Sequence, residues 1–313
     1  MGFLLFVPLH VPAKMNGTEL TEFMTSRLQA GVMTKMFDLA GAVIFIYDYL
    51  LTLGMEVEYV WPGPWTTIKV VYFIQRYIPF IDTMWIALYI NFGENLSPGL
   101  CQRLNTAGRA LMCVGLTTSE IILTFRVWAV WNRPKVLTIG LPILFVGCFL
   151  PPVPILFVFL SSVKFITLPH PSVGCVPIAG SSLIIVDWAL LLLWDSFVLA
   201  LMAIPAFRSF RFRSNSALYH AVYAEGVIYY FYLFIISIVN ILLFGLPSVD
   251  GSYQFLATTL SRCLHSILTS RVLLHIRAGI NEGQSEEFEQ ISIGDVTHRK
   301  ALRGMKPPVG EKV

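Results

Sequence analysis

Hydrophobic positions along the chain fall into seven long runs separated by short polar or Gly/Pro-rich turns. The runs are Met36–Met55, Thr66–Phe92, Thr106–Trp131, Val136–Leu160, Ser182–Ile204, Ala221–Phe244 and Tyr253–Ile276. Each reaches the ~20 residues that a helix needs to cross ~30 Å of hydrocarbon. Pro79 predicts a kink in the second run. Pro142, Pro151, Pro152 and Pro154 disturb the fourth, which is counted as one span although its prolines could make it two half-helices. Ahead of the first run, Leu20, Phe23, Met24 and Leu28 share one helical face, so an N-terminal tail (1–35) is expected to hold a short amphipathic helix. Beyond Arg277 the chain turns polar and loses its period, and residues 278–313 read as a disordered tail. The pattern as a whole predicts an all-α fold: a polytopic membrane protein built as a seven-transmembrane helix bundle over residues 36–277.

Composition sharpens that class. Only 13% of the 313 residues are charged, 56% are hydrophobic and the mean hydropathy is +0.69, whereas a soluble domain is about a quarter charged. The lipid bilayer is therefore the first partner. A net charge of +3 carries no basic stripe of the kind that binds nucleic acid, and none is expected as a partner. The distribution of Lys and Arg sets the direction. With the N-terminus outside, Lys69, Arg126, Arg133, Lys135, Arg208, Arg211, Arg213, Arg271 and Arg277 fall on the cytoplasmic side. Lys14, Arg27, Lys35, Arg103 and Lys164 fall outside. An outside N-terminus and a cytoplasmic C-terminus follow. Asn16-Gly17-Thr18 then becomes a glycosylation sequon, and the Arg208–Arg213 loop a basic surface for a cytoplasmic partner or anionic lipid. The plasma membrane or another secretory-pathway membrane is the expected location.

This topology gives two of the five cysteines a role. Cys101 precedes the third run and Cys175 lies in the second outer loop, so both face an oxidising compartment. A bond between them would tie that loop to the top of the third helix, which resembles a pattern found across seven-helix receptors; two free thiols are the alternative. Cys113, Cys148 and Cys263 fall within runs and read as small hydrophobes.

Charges inside the runs are the candidate chemistry, because ionisable groups at membrane depth are costly and mark functional sites. Asp48 stands eight residues before Glu56, or ~12 Å of helix, and Arg76 ten residues after Thr66, or ~15 Å. On antiparallel neighbours Asp48 and Arg76 then share a depth, as do Glu56 and Lys69 near one membrane surface. A double ion pair across the first hairpin follows; alternatively Asp48 faces a water-filled crevice and Arg76 bonds backbone carbonyls. Glu120 in the third run, Asp195 in the fifth and Asn240 in the sixth complete the candidate intramembrane polar set. Asp187 shares a face with Asp195 to within ~80°.

Most enzyme chemistry lacks its residues. No two of the six histidines stand at the i, i+4 spacing of a helical metal pair, and His265 and His275 are ten apart, so neither a metal nor a cofactor is expected. No Gly-x-Ser-x-Gly elbow and no phosphate-binding glycine loop occurs. No catalytic residue is assigned. The seventh run holds no Lys, which excludes a rhodopsin-type retinal Schiff base there.

Tyr47–Leu53 (YDYLLTL), Glu56-Val57, Trp61, Lys69 and Arg76-Tyr77 together resemble the opening signature of a large family of basidiomycete fungal multi-spanning membrane proteins, grouped by an N-terminal domain of unknown function. The signature covers residues 37–85. Phe125–Trp131 (FRVWAVW) is similar to that family's end of the third helix, and Ser270–Leu274 to its last-helix ending. The resemblance implies source and topology and carries no activity. In layout the chain also resembles seven-helix receptors, but Arg126 follows no acidic residue and the last run lacks Asn-Pro-x-x-Tyr, which counts against the rhodopsin class. A receptor-like sensor for an unknown ligand is the leading expectation. A small-solute or ion transporter using the buried carboxylates is the alternative, and a membrane-embedded enzyme the third.

Overall fold

The computed structural model describes residues 17–94, 96–166, 175–179, 183–211, 217–245, 255–279 and 281. Asn16, residues 212–213 of the Arg208–Arg213 loop and nearly all of the 278–313 tail lie outside them. Helix α1 runs unbroken over Gly17–Tyr59, so the separate amphipathic helix expected before residue 36 is instead the first part of one rod. Nothing between the two, neither Pro nor a Gly pair, interrupts the backbone ladder. A tight turn leads to α2 (Thr67–Pro79), whose Thr66 hydroxyl caps the Lys69 amide.

At Pro79 the rod changes character without ending. A π-helical segment spans Phe80–Ala87, and α3 (Leu88–Phe92) resumes the α-helix. Proline brings no N–H for the carbonyl of Gln75. That carbonyl accepts the Ser266 hydroxyl at 3.2 Å instead. The wider π turns carry one extra residue and set Asp82, Thr83 and Ile86 all on the buried side.

Helix α4 (Pro98–Val130) has Ser97 at its N-cap and Pro98 at its first position. Helices α5 (Lys135–Phe149) and α6 (Pro152–Ser162) are the two halves of the proline-broken fourth run. Strands β1 (Lys164–Ile166) and β2 (Val176–Ala179) form a short antiparallel ribbon. Cys175, just before β2, is bonded to Cys101 with Cα atoms 5.9 Å apart, and its amide bonds the Ile90 carbonyl. Helices α7 (Ile184–Arg211) and α8 (Ala217–Gly245) pack along each other, and α2 with its π segment packs on α4. A last helix, α9, covers residues 258–279.

Among the described residues five helical stretches are long and apolar enough to cross a membrane: Gln29–Tyr59, Pro98–Val130, Lys135–Ser162, Ile184–Phe207 and Val227–Phe244. Their outward faces are apolar, with Val136, Ile139, Ile143, Leu150 and Phe157 each more than 60% exposed. Apolar surface of that extent is stable only against lipid, and it marks the chain as an integral membrane protein. The inside is correspondingly polar. Thr258, Ser261, Arg262, His265, Ser266, Thr269 and Ser270 form one stripe along α9, and all are buried. A compact apolar cluster on α4, α5, α7 and α8, centred on Trp194, Val198, Met202, Leu123 and Leu233, fills the other half of the interior.

Candidate functional site

Three polar constellations cross the bundle, and α9 takes part in each. The first lies between α1, α2 and α9. Arg76 Nε donates to Glu56 Oε2 at 2.7 Å and Arg76 Nη2 to the Thr52 hydroxyl at 2.6 Å, with the guanidinium 5.0 Å over the Tyr49 ring. Glu56 Oε1 also accepts from the Tyr77 hydroxyl at 2.9 Å and from the Trp61 indole at 3.3 Å. Asp48 Oδ1 accepts from Arg271 Nε of α9 at 2.5 Å, while Asp48 Oδ2 stands 3.9 Å from Arg76. Thus Arg76 does meet Asp48, but Glu56 is its close partner.

The expected Glu56–Lys69 pair is not formed. Lys69 Nζ donates to the carbonyls of Trp61 and Gly63, at 2.9 and 2.6 Å, and lies 4.8 Å over the Trp65 ring. The reason is the direction in which helical side chains lean. Every Cα–Cβ bond tilts towards its helix N-terminus. On α1 that is away from the connecting turn, and on α2 towards it. Glu56 and Arg76 therefore lean together, whereas Glu56 and Lys69 lean apart, as do Asp48 and Arg76. Lys69 instead neutralises turn carbonyls that have no helical partner.

The second constellation joins α2, its π segment, α4 and α9. Gln75 is clasped by α9: its Nε2 donates to the Ser266 carbonyl at 2.9 Å, and the Ser270 hydroxyl donates to its Oε1 at 3.3 Å. Arg262 Nε donates to Asp82 Oδ2 at 3.1 Å, and both side chains are almost wholly buried. The guanidinium crosses α4 at Gly115, where a Cβ atom would overlap it. Asp82, Arg262 and Gln75 escaped the sequence reading. The signal for α9 was present: polar residues at 258, 261/262, 265/266 and 269/270 recur at helical spacing in an otherwise apolar run.

The third constellation lies deeper between α4, α7, α8 and α9. One ligand-capable atom each from Glu120, Asp195 and His265 lies within 4.8 Å of the other two, and all three residues are buried. Glu120 Oε1 is 3.5 Å from His265 Nε2. Asp195 Oδ2 accepts the Ser237 hydroxyl of α8 at 2.5 Å. Residue spacing within single helices hid this cluster, since each member comes from a different one. Asn240 is buried one turn past Ser237, donating to the Ile236 carbonyl at 3.0 Å.

Towards the Cys101–Cys175 end a cavity of about 110 Å³ opens between α4, α5, α6, α7, α8 and α9. Its walls are largely apolar: Met112, Leu116, Trp188, Leu191, Phe244 and Phe255 among them. Two charged residues reach it, Arg109, stacked 5.0 Å over the Phe255 ring, and Asp187, whose Oδ1 has no hydrogen-bond partner among the described residues. Thr117, Leu191 and Thr258 also line the cavity. Glu120 and Asp195 stand about one turn beyond it and are not part of its lining.

A family of unknown function, DUF6533, matches residues 36–81. This segment holds α1 from its middle to its end, α2 and the start of the π segment, and with them Asp48, Glu56, Lys69 and Arg76. No curated protein matches the chain.

Proposed function

We propose that this integral membrane protein is a seven-helix receptor-like sensor, N-terminus outside and C-terminus cytoplasmic, that takes a small, mostly apolar molecule into its outer cavity. On this reading α2–α3 and α9 span the membrane beside the five apolar helices, their polar residues tolerated because they face inward. The direction rests on the excess of Lys and Arg at the ends opposite Cys101 and Cys175, and places the Asn16 sequon outside and the Arg208–Arg213 segment inside. Resemblance of the YDYLLTL segment supports a basidiomycete fungal source.

The observation that carries the reading is the largely apolar cavity near the Cys101–Cys175 end, whose lining includes Arg109 and Asp187 but not Glu120 or Asp195, the carboxylates a transport path would use. A volume near 110 Å³ suits a ligand about the size of a benzene ring. The unpartnered Asp187 oxygen favours one that brings a hydrogen-bond donor. The test is a thermal-shift screen of small apolar amines and alcohols on the purified protein. Compounds that raise the melting temperature should lose their effect in Asp187→Asn and in Leu116→Trp, which fills the cavity. Flux of such a compound through sealed proteoliposomes would overturn the sensor reading in favour of the transporter.

A further inference from the structure

We propose that Glu120, Asp195 and His265 form a binding site for a divalent transition-metal ion of the zinc class, held between α4, α7 and α9. The inference starts from the histidine. His265 Nδ1 lies 2.9 Å from the Ser261 carbonyl. A carbonyl only accepts, so Nδ1 carries the proton, and the lone pair of the neutral ring sits on Nε2. That nitrogen has no hydrogen-bond partner among the described residues, nor has Glu120 Oε1, which it faces at 3.5 Å. A bare imidazole nitrogen and an ionised carboxylate oxygen repel unless a proton or a metal cation stands between them. Asp195 brings a second carboxylate to the same spot.

The surrounding shell has the form that metal ligands take. A ligating histidine ordinarily donates its other N–H to a backbone carbonyl or a carboxylate, and ligating carboxylates are themselves hydrogen-bonded. His265 does the first through Ser261, and Asp195 the second through the Ser237 hydroxyl. Two carboxylates with one imidazole are a donor set for zinc, with a fourth position left open. Bonds of ~2.0 Å place tetrahedral ligand atoms about 3.3 Å apart. The three atoms now lie within 4.8 Å of one another, so an ion would have to draw them together by about 1.5 Å at most. The nearest cationic side chain on α9, Arg262, is already engaged with Asp82.

The experiment uses the full chain in detergent, stripped with chelator and returned to Zn²⁺, with Mg²⁺ as the control ion. Metal content is read by mass spectrometry and stability by thermal melting. About one zinc per chain is expected to remain after desalting, with a higher melting temperature that Mg²⁺ does not produce. His265→Ala and Glu120→Gln should lose both the metal and the shift, while His275→Ala, altering an exposed histidine on the same helix, should keep both. Ser237→Ala should weaken zinc affinity by about 10–100-fold without abolishing it, as loss of an orienting partner does. Should the stripped wild-type protein take up no zinc, while Glu120→Gln raises its melting temperature, the three groups merely share a proton and the proposal fails. Retention of zinc by His265→Ala would equally overturn it.

Discussion

Arg76 offers a sharp test of how the first hairpin is held together. Arg76→Gln leaves Glu56 charged and 0% exposed. Breaking a buried ion pair on one side costs about 3–5 kcal/mol in soluble proteins. Glu56 keeps the Tyr77 and Trp61 hydrogen bonds, which places the loss near the lower end, about 3 kcal/mol. For a chain of this class that is roughly 6–12 °C of melting temperature. Glu56→Gln alone strands Arg76 and should cost a similar amount. In the double variant neither charge is left, so about 2–3 kcal/mol of coupling should return. The contrasting cycle pairs Arg76→Gln with Asp48→Asn. At 3.9 Å, and with Asp48 already bonded to Arg271, these two should couple by only about 0.5–1 kcal/mol, less than Arg76 and Glu56 do. Equilibrium unfolding in mixed micelles supplies all the energies on one scale. If Asp48 couples to Arg76 as strongly as Glu56 does, the argument from side-chain lean is wrong. If neither couples, the pair is not what holds the hairpin.

Two further predictions bear on other contacts. Gly115→Ala drives a methyl group into the buried Arg262 guanidinium and should cost about 1–3 kcal/mol, whereas Gly140→Ala, with nothing within 4 Å of the new carbon, should be neutral or gain up to ~1 kcal/mol in helix propensity; paired melting curves compare them. Cys101→Ser opens a loop of 74 residues and should lower the melting temperature by less than the ~4 kcal/mol equivalent of the chain-entropy model, because helices persist in the unfolded membrane state; unchanged melting would show that the bond does not form in the native protein.

The helices were legible because lipid imposes a single pattern. A run such as Thr66–Phe92 can only be a helix, and it emerges as 67–92 with its irregularity beginning where Pro79 said it would. The prolines of the fourth run marked where it could break without deciding that it would, and the break falls between Phe149 and Pro152. Pairing was not legible, because depth along an axis is only one coordinate. Asp48 and Arg76 share a depth, but lean and rotation decide which oxygen a guanidinium reaches. Lys69 shows the cost of ignoring the backbone: two turn carbonyls outcompeted Glu56. The cluster of Glu120, Asp195 and His265 was hidden for another reason, since three helices distant in sequence each give it one residue. Asp82 lay beyond reach, because the π segment adds a residue that no periodic reading anticipates.

The polar stripe of α9 has a consequence for how the chain is made. On the seven-span reading Asp48, Gln75, Asp82 and Glu120 would enter the membrane early in synthesis, and each meets a side chain or carbonyl of α9, the most C-terminal helix described over more than one turn. Until residue 258 and those after it arrive, the nascent bundle carries the cost of these groups without their partners. Translation products that end before α9 would therefore expose unsatisfied charge at membrane depth, the feature by which membrane quality control can tell an unfinished chain from a finished one. Helix α9 would thus complete the bundle's polar pairing, and a chain truncated before residue 258 should leave Asp48, Gln75, Asp82 and Glu120 without the partners it supplies.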